Sequence, residues 1–251
     1  MRTLGGIAAD LAAGFGLLTR IPVGWAVPQG APYRPGRAVW TYPLVGLAVG
    51  AVSAACLYGA RRIGLPPLLG AVWTVVATVL LTGGLHEDGL ADTADGFGGG
   101  RTPARRLEIM RDSRIGSYGA LALVLSISVR VTAVAALPPA QATAALLAAG
   151  ALSRGAMLPV LVLPPARHDG LGQALGSIPR PVVAIATAIA AGTAILCLRP
   201  MRAAAAIIIA GLIGLGTAAL AHRRLGGQTG DVLGACCGVS DCVLLTLLTA
   251  G

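Results

Sequence analysis

The chain has 251 residues, 55% of them hydrophobic and 12% charged, with 36 glycines and a mean hydropathy of +0.79. That balance excludes an ordinary soluble domain, which would leave too much apolar surface in water, and describes an integral membrane protein. The formal charge is +9, with every basic residue an arginine. The first apolar run, 4 to 18, is short, glycine-rich and interrupted by Asp10, so it is expected as an interfacial or re-entrant helix. Only Arg2 precedes it and no small-residue cleavage site follows, so it is not read as a removable signal peptide. The runs 38 to 60, 67 to 85, 117 to 137, 141 to 163, 181 to 198, 203 to 221 and 232 to 250 each approach the ~20 residues of a spanning helix, and proline-rich breaks separate them. The expected fold is all-α: a polytopic helical bundle of about seven spans, forming one integral domain over 1–251. Its five cysteines lie in apolar segments without metal-ligand spacing, which argues against zinc and disulfides.

The arginines predict the orientation. Thirteen belong to the N-terminal segment (Arg34 among them) and the loops 86–116, 164–180 and 222–231; four lie on the other side (Arg61, Arg62, Arg199, Arg202); Arg130 and Arg154 fall within spans. The rich side is expected to be cytoplasmic. Eight of the ten acids share it, namely Glu87, Asp88, Asp92, Asp95, Glu108, Asp112, Asp169 and Asp231.

Four of those acids crowd into L-T-G-G-L-H-E-D-G-L-A-D-T-A-D-G-F-G-G-G, from Leu81 to Gly100. On a helix, Asp88, Asp92 and Asp95 share one face, while Glu87 points about 100° away. Three like charges on one face repel, and hard oxygen ligands of this kind suit Mg2+, which keeps waters and bridges to substrate phosphates. Thr102 and Pro103 then start a helix, and Arg101, Arg105, Arg106, Arg111 and Arg114 follow the acids closely. Part of this set serves the positive-inside pattern. Arg114, in D-S-R-I-G-S-Y-G beside Asp112, is singled out for a constrained turn and a fork suited to phosphate. Asp231, in T-G-D-V-L-G-A, reads either as a helix-start acid or as a ligand. Asp241 pairs in expectation with an intramembrane arginine. His86 is a candidate base or a helix cap; His168 and His222 form no triad.

In their order and spacing, these acid and arginine segments and T-G-D-V-L-G-A closely resemble the adenosylcobinamide-GDP ribazoletransferase (cobalamin synthase) family. L-L-T-R-I-P-V at Leu17 to Val23, Y-P-L-V-G-L-A-V-G at Tyr42 to Gly50 and A-R-H-D-G-L-G at Ala166 to Gly172 extend the likeness almost end to end. The resemblance implies a multi-pass enzyme of the bacterial inner membrane, Mg2+-dependent, with its active site facing the cytoplasm. It would join adenosylcobinamide-GDP to α-ribazole or its 5′-phosphate and release GMP, in the last steps of cobalamin synthesis. The expected metal ligands are Glu87, Asp88, Asp92, Asp95 and Asp231; the expected substrate contacts are Arg101, Asp112, Arg114 and Asp231. Asp95 is the expected general base, and Asp88, Asp92 and Arg114 complete the catalytic set. The lipid bilayer is the expected surrounding, no nucleic acid is expected as partner, and homo-oligomerisation is left open. Two alternatives stand beside this reading. A CDP-alcohol phosphotransferase shares the chemistry, though its D-G-x2-A-R is D-G-L-A-D here. A cation or solute transporter would place acids near mid-bilayer and show an internal repeat.

Overall fold

The computed structural model describes residues 2–26, 35–167 and 169–250; Arg34 and His168 lie outside them, as do the side chains of residues 2–5, 26 and 171. In chain order come α1 (Arg2–Leu18), α2 (Pro35–Ala38), α3 (Tyr42–Arg62), α4 (Pro67–Thr82), α5 (Leu85–Gly99), α6 (Pro103–Ile109), α7 (Ser117–Ala136), α8 (Pro139–Gly155), α9 (Leu158–Leu161), α10 (Gly170–Leu175), α11 (Arg180–Cys197), α12 (Pro200–Leu225) and α13 (Gly230–Thr249). Six stretches are long and apolar enough to cross a membrane: Pro35–Arg62, Ser117–Ala136, Pro139–Leu161, Arg180–Cys197, Pro200–Leu225 and Gly230–Thr249. The bent pair α4 and α5 supplies a seventh. Pro67, Pro139 and Pro200 open α4, α8 and α12, where a fixed φ and a missing N–H suit the first helical turn.

Contacts between loops sort the helix ends into two faces. Arg61 donates to the Leu137 carbonyl at 2.8 Å, and Arg202 reaches the side chain of Gln141 and the Ala250 carbonyl, all on the arginine-poor face. On the arginine-rich face Arg106 donates to the Arg224 carbonyl at 3.0 Å, and Pro165 and Gln228 form an isolated parallel β-bridge, Ala166 N–H donating to the Gln228 carbonyl and Gln228 N–H to the Pro164 carbonyl. Small side chains such as Ala148, Ala149 and Ala186 are buried between helices, whereas Leu196, Ile208, Leu212 and Leu215 point outward. Bundles in lipid pack on small residues and leave the large apolar ones to the acyl chains.

Among the described residues, the N-terminal helix is not one of those long and apolar enough to cross a membrane. Its described apolar part, Gly6–Leu18, is shorter than a span, and the buried Asp10 docks it by accepting from Arg37 Nε and Trp40 Nε1, both at 3.0 Å.

The run read as a span over 67 to 85 divides instead. The α4 helix stops at Thr82, because Gly83 and Gly84 take φ values of 68° and 71°, and α5 leaves at 89° to α4. Two consecutive left-handed residues cannot continue a right-handed helix. At 1.5 Å per residue α4 is roughly 24 Å long, less than the ~30 Å of hydrocarbon, so a helix of this length entering at one surface ends short of the other. Irregular backbone at that depth is tolerated where it lines a polar cavity. Arg20 satisfies part of the exposed helix end, its N–H donating to the Leu81 carbonyl at 2.7 Å, and its side chain lies over Gly83, where an added Cβ would come within 2.0 Å of Nε. Gly83→Ala is therefore expected to cost about 1–2 kcal/mol for the left-handed conformation alone, lowering the thermal midpoint in detergent by roughly 2–8 °C. An unchanged midpoint would show that the bend accepts a side chain.

Candidate active site

Tertiary packing puts α5 where the charges meet. The helix slants outward through the bundle: near its start, Glu87 meets Arg130 of α7, and near its end Asp95 meets the first residues of α7. It crosses α13 at Gly89, where an added Cβ would lie 2.7 Å from the Asp231 carbonyl oxygen, and at Gly234, whose added Cβ would lie 3.2 Å from Gly89 Cα. Glycine at the crossing lets the backbones touch, which brings the first turn of α13 beside the acidic helix. Thr229, not Asp231, caps α13, its hydroxyl accepting from Val232 N–H at 3.2 Å. Asp231 is thereby free of capping duty and pairs with Arg167 at 2.9 Å.

Asp88 and Asp92 line a polar cleft of about 830 Å3 between the end of α1, the α4–α5 bend and the loop 110–115, and Asp88 also borders a second cavity of about 270 Å3 that holds Asp231 and Arg167. Asp92 is partly buried, and the like charges of Asp88, Asp231 and Asp95 act on it. That is the electrostatic strain a cation relieves. Among the described residues no three His, Cys, Asp or Glu side chains are already gathered as a metal cage. The donor set nevertheless fits Mg2+, which is held through one or two carboxylates while waters and substrate phosphates fill its other positions.

Two expected ligands are occupied elsewhere. Asp95 is buried, one carboxylate oxygen accepting from Gly116 N–H at 2.7 Å and the other from Gly119 N–H at 2.8 Å, so it caps α7 instead of facing the cleft as ligand or base. Glu87 borders the cleft but holds Arg130 at 2.7 Å, with both side chains largely buried. Asp241 is matched with Arg154 at 3.4 Å, as its intramembrane position suggested.

The arginines separate as sharply. Arg114 lines the polar cleft, exposed and forked onto Asp112, whose carboxyl its hydrogen bonds hold down at about 2. Arg101 follows the C-terminal end of α5 and borders neither cavity, so the structure does not bring it to the carboxylates. Arg20, Arg111 and Arg167 do line the cavities although none was picked from the sequence as a contact. Arg111 Nη2 donates to both carboxylate oxygens of Asp169, at 2.7 and 2.6 Å, tying the loop after α6 to the segment before α10. Their signal was present, since L-L-T-R-I-P-V contains Arg20 and A-R-H-D-G-L-G contains Arg167. His86 is buried beside Asp88, lines the smaller cavity, and has an unpartnered Nε2 among the described residues.

Residues 10–249 match the family model described as cobalamin-5-phosphate synthase. The chain is 45% identical over 250 residues to the adenosylcobinamide-GDP ribazoletransferase of Bradyrhizobium diazoefficiens, covering 99% of this chain and 96% of that relative. It is 48% identical over 241 residues to the protein so named from Azorhizobium caulinodans, covering 91% and 90%, and 46% identical over 210 residues to that of Mesorhizobium japonicum, covering 83% and 81%. No solved structure matches the chain.

Proposed function

We infer the chemistry from one premise: the chain belongs to the cobalamin-5-phosphate synthase family. It joins adenosylcobinamide-GDP to α-ribazole or α-ribazole 5′-phosphate, giving adenosylcobalamin or its 5′-phosphate and releasing GMP. The relatives support this activity and not that of a CDP-alcohol phosphotransferase. The observation that carries the mechanism is that Asp88 borders both cavities, the larger of which holds Asp92 and the smaller Asp231.

In the transfer, a ribazole hydroxyl forms a bond to the β-phosphorus of the GDP ester while the bond from that phosphorus to the bridging oxygen of the departing GMP breaks. The hydroxyl proton passes to a carboxylate of the trio. Asp88 and Asp92 would hold Mg2+, which would supply charge neutralisation on the diphosphate when bound. Arg114, Arg20 and Arg111 hold phosphate oxygens; such a reaction is catalysed mainly by positioning and electrostatics, without a covalent enzyme intermediate. Residues at the α4–α5 bend keep the cleft polar within an apolar bundle.

Membranes containing the protein, incubated with adenosylcobinamide-GDP, α-ribazole and Mg2+, are expected to release GMP and form a cobalamin, and to do neither when Mg2+ is chelated. Product formation unaffected by chelation removes the metal from the mechanism; no product from the complete mixture removes the activity.

The arginine-rich face belongs in the cytoplasm of a bacterial inner membrane, where nucleotides and free Mg2+ are found, and the charge asymmetry supports this side. A cysteine placed at Gly99 is expected to react with an impermeant thiol reagent from the cytoplasmic side only, and one at Gly64 from the outside only, in a background without reactive native cysteines. The reverse pattern overturns the orientation.

A further inference from the structure

The two cavities on the arginine-rich face differ in size and in chemistry, yet share a wall of Leu17, Leu85 and Asp88. The larger, about 830 Å3, presents Arg20, Arg111 and Arg114. The smaller, about 270 Å3, is walled by apolar side chains including Leu18, Met157 and Leu233, with Arg167, Gln228 and Asp231 among its polar groups beside His86, Asp88, Asp169 and Thr229. Gln228 is 2% exposed and its Oε1 accepts no hydrogen bond among the described residues; the Arg167 Nε likewise has no acceptor. A buried acceptor left unmatched costs free energy that an arriving donor recovers. Gly172 keeps this amide accessible, because a Cβ there would sit 2.9 Å from both Oε1 and Nε2 of Gln228.

Building on the transferase reading above, we infer that the two substrates enter from different cavities, the GDP ester through the arginine-lined cleft and the benzimidazole nucleoside through the smaller cavity, and that Gln228 recognises the nucleoside. A diphosphate ester of a bulky corrinoid needs cations and an open mouth, which the larger cleft has. A flat aromatic nucleoside without a diphosphate needs apolar walls, an acceptor for a ribose hydroxyl and limited space, and the smaller cavity lies near the lower end of small-ligand sites. Arg167 there accommodates the 5′-phosphate form as well as the free nucleoside. Phosphoryl transfer places the attacking and leaving oxygens roughly in line on opposite sides of phosphorus. Two cavities that share Asp88 give the two oxygens separate approaches.

The test is a pair of saturation curves for each variant, with GMP release as readout. Gln228→Leu and Gly172→Ala are expected to raise the KM for α-ribazole roughly tenfold, the scale of one lost hydrogen bond, and to leave the KM for adenosylcobinamide-GDP within about twofold. Arg114→Gln is expected to do the opposite. An active wild type whose Gln228→Leu and Gly172→Ala variants shift the GDP-corrinoid KM instead, or neither KM, overturns the partition and leaves the transferase reading intact. A wild type that releases no GMP overturns that reading and the partition with it. Should Gln228→Leu fail to fold, Gly172→Ala decides alone, read by α-ribazole binding to the protein without the GDP ester, through the benzimidazole fluorescence: weaker binding than wild type supports the assignment and equal binding overturns it.

Discussion

Asp88→Asn and Asp92→Asn are each expected to slow turnover by at least ~100-fold, the scale on which preorganised electrostatic groups act, while the protein still inserts and folds. Both carboxylates line the polar cleft, and among the described residues neither is committed to a helix cap or a buried ion pair. An amide of the same shape keeps the packing and removes the charge a cation needs. Asp95→Asn is expected to behave differently. Its two oxygens receive Gly116 and Gly119 N–H, so the amide loses one acceptor and turns an NH2 group toward a donor. The penalty belongs to the start of α7 and is about 1–2 kcal/mol, read as a lower thermal midpoint with a smaller loss of rate. Initial rates of GMP release at saturating Mg2+, alongside melting curves, separate the two classes. Near-wild-type rates in both the Asp88 and Asp92 variants would falsify the metal-site assignment. An Asp95 variant of full stability and ~100-fold slower turnover would restore Asp95 to the reacting centre.

That contrast marks the boundary of what sequence carries. Spans were legible because a membrane helix must satisfy its backbone internally and present apolar side chains over a fixed thickness, so long apolar runs between prolines have one physical reading. The acidic face of α5 was legible too, as the helical period sets it. What Asp95 faces was not: its partners are 21 and 24 residues away, and only the packing of α7 on α5 turns an acid of the same face into a cap. Arg101 failed for a related reason. It follows the acids closely in sequence, yet a helix rises 1.5 Å per residue, so the 13 positions from Asp88 to Arg101 correspond to roughly 20 Å. Arg167 succeeds from 64 residues away because the segment before α10 pairs with the turn before α13. The 89° bend had a visible cause in Gly83 and Gly84, but glycine permits left-handed backbone without requiring it.

Arg130→Met is expected to be the most damaging single change to stability. Its guanidinium holds Glu87 at 2.7 Å, and the two side chains are only 6% and 13% exposed, so removing the cation strands an acid inside the bundle. Breaking one partner of a buried pair costs about 3–5 kcal/mol, because the charge left behind keeps its desolvation penalty without the attraction that offset it. That is a large share of the stability of a typical domain, and the expected result is low yield and early aggregation on heating. Combining Arg130→Met with Glu87→Gln removes both charges and is expected to recover most of the lost stability, since the polar amide is far cheaper to bury than a lone carboxylate. The double variant also decides what Glu87 does, because it stands next to Asp88 and borders the cleft. Recovered folding with near-wild-type GMP release makes the pair a scaffold that fixes α5 against α7. Recovered folding with turnover still depressed ~100-fold would return Glu87 to the metal-binding set that its place in the acidic run first suggested.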